Sequence, residues 1–171
     1  MTQVDGAAGA AASGLAIIWH SRTGAGEQLA RAAAEGAGEP GGRLIRAEHC
    51  APADLLAAAG YLFVCPENLA TMSGVMKEMF DRCYYPLLGQ VEGRPYATII
   101  AAGSDGQGAQ AQIDRIVTGW RLRRVAEPFI ANLRAQTPEE ILTPKQVPAE
   151  MLSEARLLGE GLCIGIGQGI F

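Results

Sequence analysis

Ser21, Thr23, Gly24 and Gly26 fall within six residues of one another, directly after the apolar run LAIIW, in the stretch HSRTGAGEQLA (20–30). Two hydroxyls supply hydrogen-bond donors, and two glycines let a backbone come close to a ligand. Where such a turn opens a helix, successive N–H groups converge and the helix dipole favours negative charge at that point. The chemistry on offer is the holding of an anion, a phosphate above all. A plain capped turn uses the same residue types, so the spacing leaves both readings open. Two other phosphate loops are excluded, because neither a Gly-Lys-Ser/Thr ending nor a GxGxxG pattern is present.

Two further stretches carry comparable signals. In PENLATMSGVMKEMFDR (66–82) the polar backbone offers hydrogen bonds to the edge of a flat heterocycle, and Leu69 and Met72 offer apolar contact. Methionines at this spacing also serve as core filler. In AAGSDGQGAQ (101–110), Gly103, Gly106 and Gly108 make a loop able to hug a ligand, although Asp105-Gly106 suits a simple turn as well. His20 is placed to donate to such an anion but fits a polar junction better, Cys65 fits a small core position, and WRLRR (120–124) could meet a nucleotide phosphate but fits a solvated helix end better. A cysteine phosphatase loop would need arginine where Thr71 stands, and a phospho-receiver would need an acidic pair where WHSR stands, so both classes are excluded.

The elements that must position these loops alternate along the chain. Apolar or β-rich runs predict strands at 15–20, 43–49, 61–66, 95–103 and 123–133, with Pro128 placing the last at an edge. Helical spacing predicts helices at 24–37, 52–59, 74–88, 109–121 and 147–165, the third with Ser73 as its N-cap and the last weakened by glycines. This alternation implies a parallel sheet covered on both faces. Five strands in so short a chain favour the order 2-1-3-4-5, whose ligands sit beyond the carboxyl ends of strands 1, 3 and 4. The three unusual loops follow those three strands.

The chain of 171 residues suits one domain at 15–171, preceded by an Ala/Gly/Ser-rich tail at 1–14 expected to be flexible. A hydrophobic fraction of 49% argues against disorder of the whole. A net charge of -4 is too mild for docking by charge alone and has the wrong sign for nucleic acid. Cys50, Cys65, Cys83 and Cys163 form no CxxC pair, so no metal site is expected. The opening residues lack a basic region and a long apolar region, and no stretch reaches the roughly 18 apolar residues of a membrane helix. A cytoplasmic protein with reduced thiols is the expectation.

With these residues in view, SRTGAGE resembles the phosphate loop of flavodoxin-type proteins, usually Ser/Thr-x-Thr-Gly-x-Thr-Glu. PENLATMSGVMKEMFDR, the most specific of the three, resembles the second loop of the flavodoxin-like NAD(P)H-dependent FMN reductase family, and AAGSDGQGA resembles the third. The resemblance implies an α/β fold, a flavodoxin-like three-layer sandwich with a five-stranded parallel sheet in the order 2-1-3-4-5. It implies that Ser21, Arg22, Thr23, Gly24, Ala25 and Gly26 wrap the phosphate of FMN. Pro66, Glu67, Asn68, Leu69, Ala70, Thr71 and Met72 would line the isoalloxazine ring, and Gly103, Ser104, Asp105, Gly106 and Gly108 its other side and the ribityl chain. No catalytic side chain is then needed, since the flavin carries the chemistry. The implied activity is an NAD(P)H-dependent FMN oxidoreductase reducing a quinone or other small acceptor, in an assembly that family likeness makes a dimer or tetramer. Three departures stand out: Gly26 replaces a usual threonine, and Leu69-Ala70 replaces a common aromatic-glycine pair. They keep two other readings in play, an electron-carrying flavodoxin and a flavin-free binding protein on the same fold.

Overall fold

Leu15–Trp19 (β1), the first six residues of Gly60–Asn68 (β3) and Pro95–Ala102 (β5) are almost wholly apolar without alternation because both faces are covered; every residue of β1 and β5 is buried. The computed structural model describes residues 11–171. Most of the predicted tail lies outside these residues. Its last two residues are tied down, Ser13 N donating to Ala57 O and Gly14 O accepting from Ala59 N, both at 2.9 Å.

β1 pairs in parallel with β3 on one side and with Gly42–Arg46 (β2) on the other, and β3 pairs in parallel with β5. Thr71–Met72 (β4) folds back antiparallel on the end of β3. The far edge is two short pieces, Arg123–Arg124 (β6) and Phe129–Asn132 (β7), both parallel to β5. The sheet order β2-β1-β3-β5-β6 is the predicted 2-1-3-4-5 once β4 is set aside and β6 and β7 count as one strand. Seven strands replace the expected five. The edge strand is interrupted where Pro128 has no N–H to give the ladder.

β2 also stops earlier than expected. Residues Ala47–His49 turn as a 3-10 helix, and the guanidinium of Arg82 donates to Ala47 O at 3.0 Å and Cys50 O at 2.9 Å. Those carbonyls are drawn out of any strand ladder by a side chain from the helix packed beneath.

Ala25–Ala37 (α1) and Ala149–Gly167 (α6) cover one face. Pro52–Ala57 (α2), Gly74–Leu87 (α3) and Gln107–Gly119 (α4) cover the other. The second face is aromatic, with the Phe63 ring 5.0 Å from Phe80 and Phe80 5.5 Å from Trp120. The first is aliphatic and alanine-rich. There the two helices meet backbone to backbone: a Cβ on Gly159 would overlap the Ala33 carbonyl, and one on Gly36 would overlap that of Arg156. Glycines that lower helix propensity are what allow this seam. Pro138–Leu142 (α5) is an additional short helix in the segment joining β7 to α6.

Candidate functional site

A cleft of about 320 Å³ opens at the carboxyl ends of β1, β3 and β5. Its lining combines Ser21, Arg22, Thr23, Ala25 and Gly26 with Pro66, Glu67, Asn68, Leu69 and Ala70, and with Gly103 and Ser104. The structure thus brings residues of all three predicted loops to one place.

The first loop closes on itself, Gly24 N donating to Ser21 Oγ at 3.0 Å, and Gly24 sits left-handed at φ 92°. The first intrahelical bond of α1 runs from Gln28 N to Gly24 O at 3.1 Å, and no side chain caps the helix. The N–H groups of Ala25, Gly26 and Glu27 precede that bond, and the first two belong to residues lining the cleft. Among the described residues neither the Thr23 hydroxyl nor the Arg22 guanidinium has a hydrogen-bond or ion-pair partner. An uncapped helix start beside unpartnered donors is the donor set that an anion requires. Gly26, where a threonine is usual, has a steric reason: a Cβ there would overlap the His20 carbonyl oxygen.

In the second loop β3 and β4 form a hairpin with Asn68 opposite Thr71. Its two central residues, Leu69 at φ 52° and Ala70 at φ 61°, both occupy the left-handed region, as a type I′ turn requires. Neither residue is one that favours this region, and Leu69 is 98% exposed. The Glu67 carboxylate accepts from Gly106 N at 2.8 Å and Ala109 N at 3.0 Å, capping α4. Gly108 lets α4 reach the hairpin, since a Cβ there would overlap the Ala70 carbonyl oxygen.

Six expected residues do not line the cleft. Gly24 closes the first loop through its N–H to Ser21 Oγ and does not itself line the cleft. Met72 is buried in the core, its N–H donating to Gln112 Oε1 at 2.8 Å, and Thr71 donates its hydroxyl within the hairpin. Asp105 is exposed, while Gly106 and Gly108 serve the junction of α4 with the second loop.

The cleft has a further wall, formed by Leu133, Ala135, Ile141 and Lys145, with Ala101 and Ala102 at its floor. No motif marks the four wall residues. One local signal does lie beside them: Thr137-Pro138-Glu139-Glu140 is a capping box, realised as Glu140 N to Thr137 Oγ1 at 3.2 Å and Thr137 N to Glu140 Oε2 at 3.0 Å. The backbone N–H of Gln136, and after it that of Thr137, donate to the Glu140 carboxylate and hold it below its ordinary range.

Two residues near the cleft have structural roles. His20 Nδ1 lies 2.9 Å from the Oγ of buried Ser73, the N-cap residue of α3, and burial pushes its pKa down. Cys65 is wholly buried and its thiol is pushed up to about 12, which makes it inert. Among the described residues no cluster of His, Cys, Asp and Glu is arranged to hold a metal ion, and no helix is long and apolar enough to cross a membrane.

Residues 51–130 match the family described as NADPH-dependent FMN reductase. A flavodoxin of Aquifex aeolicus (strain VF5) is 30% identical over 105 residues, which cover 60% of this chain and 57% of that protein's length. Among solved structures, the flavodoxin, WrbA-like protein from Agrobacterium tumefaciens superimposes with a TM-score of 0.73 at 18% identity, covering 92% of this chain and 99% of the other. An archaeal flavodoxin gives 0.71 at 13% identity, covering 91% and 99%. The two-electron reduced flavodoxin of Megasphaera elsdenii gives 0.64 at 16% identity, covering 88% and 98%. These structural likenesses establish the flavodoxin-like fold. The sequence matches each reach only part of the chain, and the aligned flavodoxin is matched over little more than half its own length.

Proposed function

From the match of residues 51–130 to the family described as NADPH-dependent FMN reductase, and from the flavodoxin-like fold, we propose that this chain binds FMN and uses NAD(P)H to reduce a quinone or another small acceptor. The observation that carries the reading is the uncapped start of α1, with Arg22 and Thr23 beside it at one end of the cleft and unpartnered among the described residues. Bound FMN would supply the hydride and electron chemistry.

The chain's own residues then bind and orient. Ser21, Thr23, Arg22 and the N–H groups of Ala25 and Gly26 would hold the phosphate, neutralising its charge at the helix start. Pro66 to Ala70 and Gly103 to Ser104 would contact the ring and the ribityl chain from opposite sides. Leu133, Ala135 and Ile141 supply an apolar side that keeps water from the cleft.

The electron-carrier reading is favoured by the Aquifex match. Against it, no residue lining the cleft is aromatic, so no ring from these residues would cover the flavin. The mild charge of -4 also lacks the dense acidic face on which a carrier docks.

Titration of the purified protein with FMN, followed by flavin fluorescence and absorbance, tests the reading. Binding at micromolar FMN, with anaerobic bleaching by NADH or NADPH, supports the reductase. Binding without bleaching supports the carrier, and no binding sinks both. Thr23→Glu should abolish binding by placing a carboxylate where the phosphate is held; unchanged affinity would refute the assignment of this loop.

A further inference from the structure

Gln28, in the first turns of α1, spends its whole side-chain amide on backbone groups, one at the start of its own helix and two in the distant segment that follows β7. Nε2 donates to Gly24 O at 3.1 Å and to Lys145 O at 2.8 Å, and Oε1 accepts from Val147 N at 3.1 Å. Beside this amide, Lys145 N donates to Thr23 O at 2.7 Å. A primary amide combines two donors with an acceptor, as this geometry demands. A carboxylate would face two carbonyl oxygens with nothing to donate.

The segment held in this way is residues 133–147, the wall that carries Leu133, Ala135, Ile141 and Lys145 into the cleft. It has little core of its own: α5 has no buried residue, and only Ala135 and Val147 are buried at its two ends. Its internal bonds make it a small self-contained unit. The capping box closes the start of α5, and Lys145 Nζ donates to Ile141 O at 3.0 Å and Thr143 O at 2.6 Å near its end. At the sheet side the segment is attached by Leu133 N to Ala102 O at 2.7 Å, and by Asn132, whose side chain bonds Ser104 O and Arg134 N. At the other end the attachments are Gln28 and the Thr23–Lys145 bond. A strap pinned at two ends, with nothing buried between, opens at whichever pin fails first.

We propose that Gln28 is a positioning residue: it latches the strap 133–147 to the phosphate-loop end of the cleft, so that the wall stands ready before a ligand arrives. The same amide fixes Gly24, the residue that sets the direction of the first loop. Strap and anion-binding turn are therefore one mechanical unit. A ligand that orders the turn also tightens the strap, and loss of the latch loosens both. The part of this inference that concerns FMN rests on the proposed function; the latch itself does not.

The test uses the full chain with Gln28→Glu and Gln28→Ala, the second keeping a strong helix former at the site. Hydrogen exchange without ligand is expected to show the Lys145 and Val147 amides protected in the parent chain and exchanging about tenfold faster in both variants. The amides of Phe63 and Val64 in β3 should be unchanged, which separates unlatching from general destabilisation. Unchanged protection at Lys145 and Val147 in both variants would overturn the latch. With FMN as the probe, both variants should bind about tenfold more weakly, mostly through faster dissociation. Faster exchange with unaltered FMN dissociation would overturn the positioning role. A parent chain that binds no FMN would defeat the flavin reading while leaving the exchange result to decide the latch.

Discussion

Glu67 accepts the backbone N–H of Ala109 at 3.0 Å with one carboxylate oxygen and that of Gly106 at 2.8 Å with the other. The amino end of α4 is thereby filled by the protein's own anion, whereas that of α1, across the cleft, has no side-chain cap. Of the two helix starts nearest the cleft, only α1 is left to receive an outside anion.

Glu67→Gln is expected to lower stability by about 1.5 kcal/mol, because one backbone N–H loses an ionised acceptor and meets an amide donor instead. Urea unfolding at constant m-value measures it, and an unchanged midpoint would show that the cap contributes nothing.

Ala70→Gly should raise stability. The residue sits at φ 61°, where an L side chain is strained by about 1–2 kcal/mol, and glycine returns part of that gain through its freer unfolded state. The net expected gain is about 0.5–1 kcal/mol, or about 1–3 °C in Tm for a chain of this length. A fall in Tm would mean that the turn conformation carries no strain.

His20 makes stability fall on mild acidification. Burial lowers its pKa first of all; nearby Glu48 opposes this and Arg46 adds to it. The folded state therefore resists the proton that the unfolded chain takes up near its ordinary value of 6.5. Stability from this residue is complete above that pH and declines as pH drops from about 6.5 towards the lowered value. Unfolding measured at about pH 5 and pH 7.5 should differ less in His20→Gln than in the parent; an equal difference would remove His20 as the cause.

The central strands were legible because burial on both faces leaves an unbroken apolar record, as in IIW and YLFV. The loops after them could be located for the same reason. What remained illegible depends on partners far along the chain. Nothing at Ala47 announces that Arg82 will take its carbonyl and end β2. Leu69 and Ala70 carry no turn signal, since a type I′ turn is ordinarily written with asparagine or glycine. The hairpin forms because β3 outruns the sheet and the backbone of Ala70 is held over Gly108. The strap wall is set by Gln28, whose place in an amphipathic helix reads only as a polar surface position. Met72 and Thr71 belong to the right loop, but the hairpin turns them out of the cleft.

The glycine seam between α1 and α6 bears on the order in which this protein is made. α1 precedes α6 in the chain, so the buried side of α1 waits through the synthesis of every element between them for the backbone it must touch. Until Gly159 arrives opposite Ala33, the helix that opens the anion site has no final resting place. Loading of any ligand at its amino end is thus an event that follows the making of α6, not one that guides it.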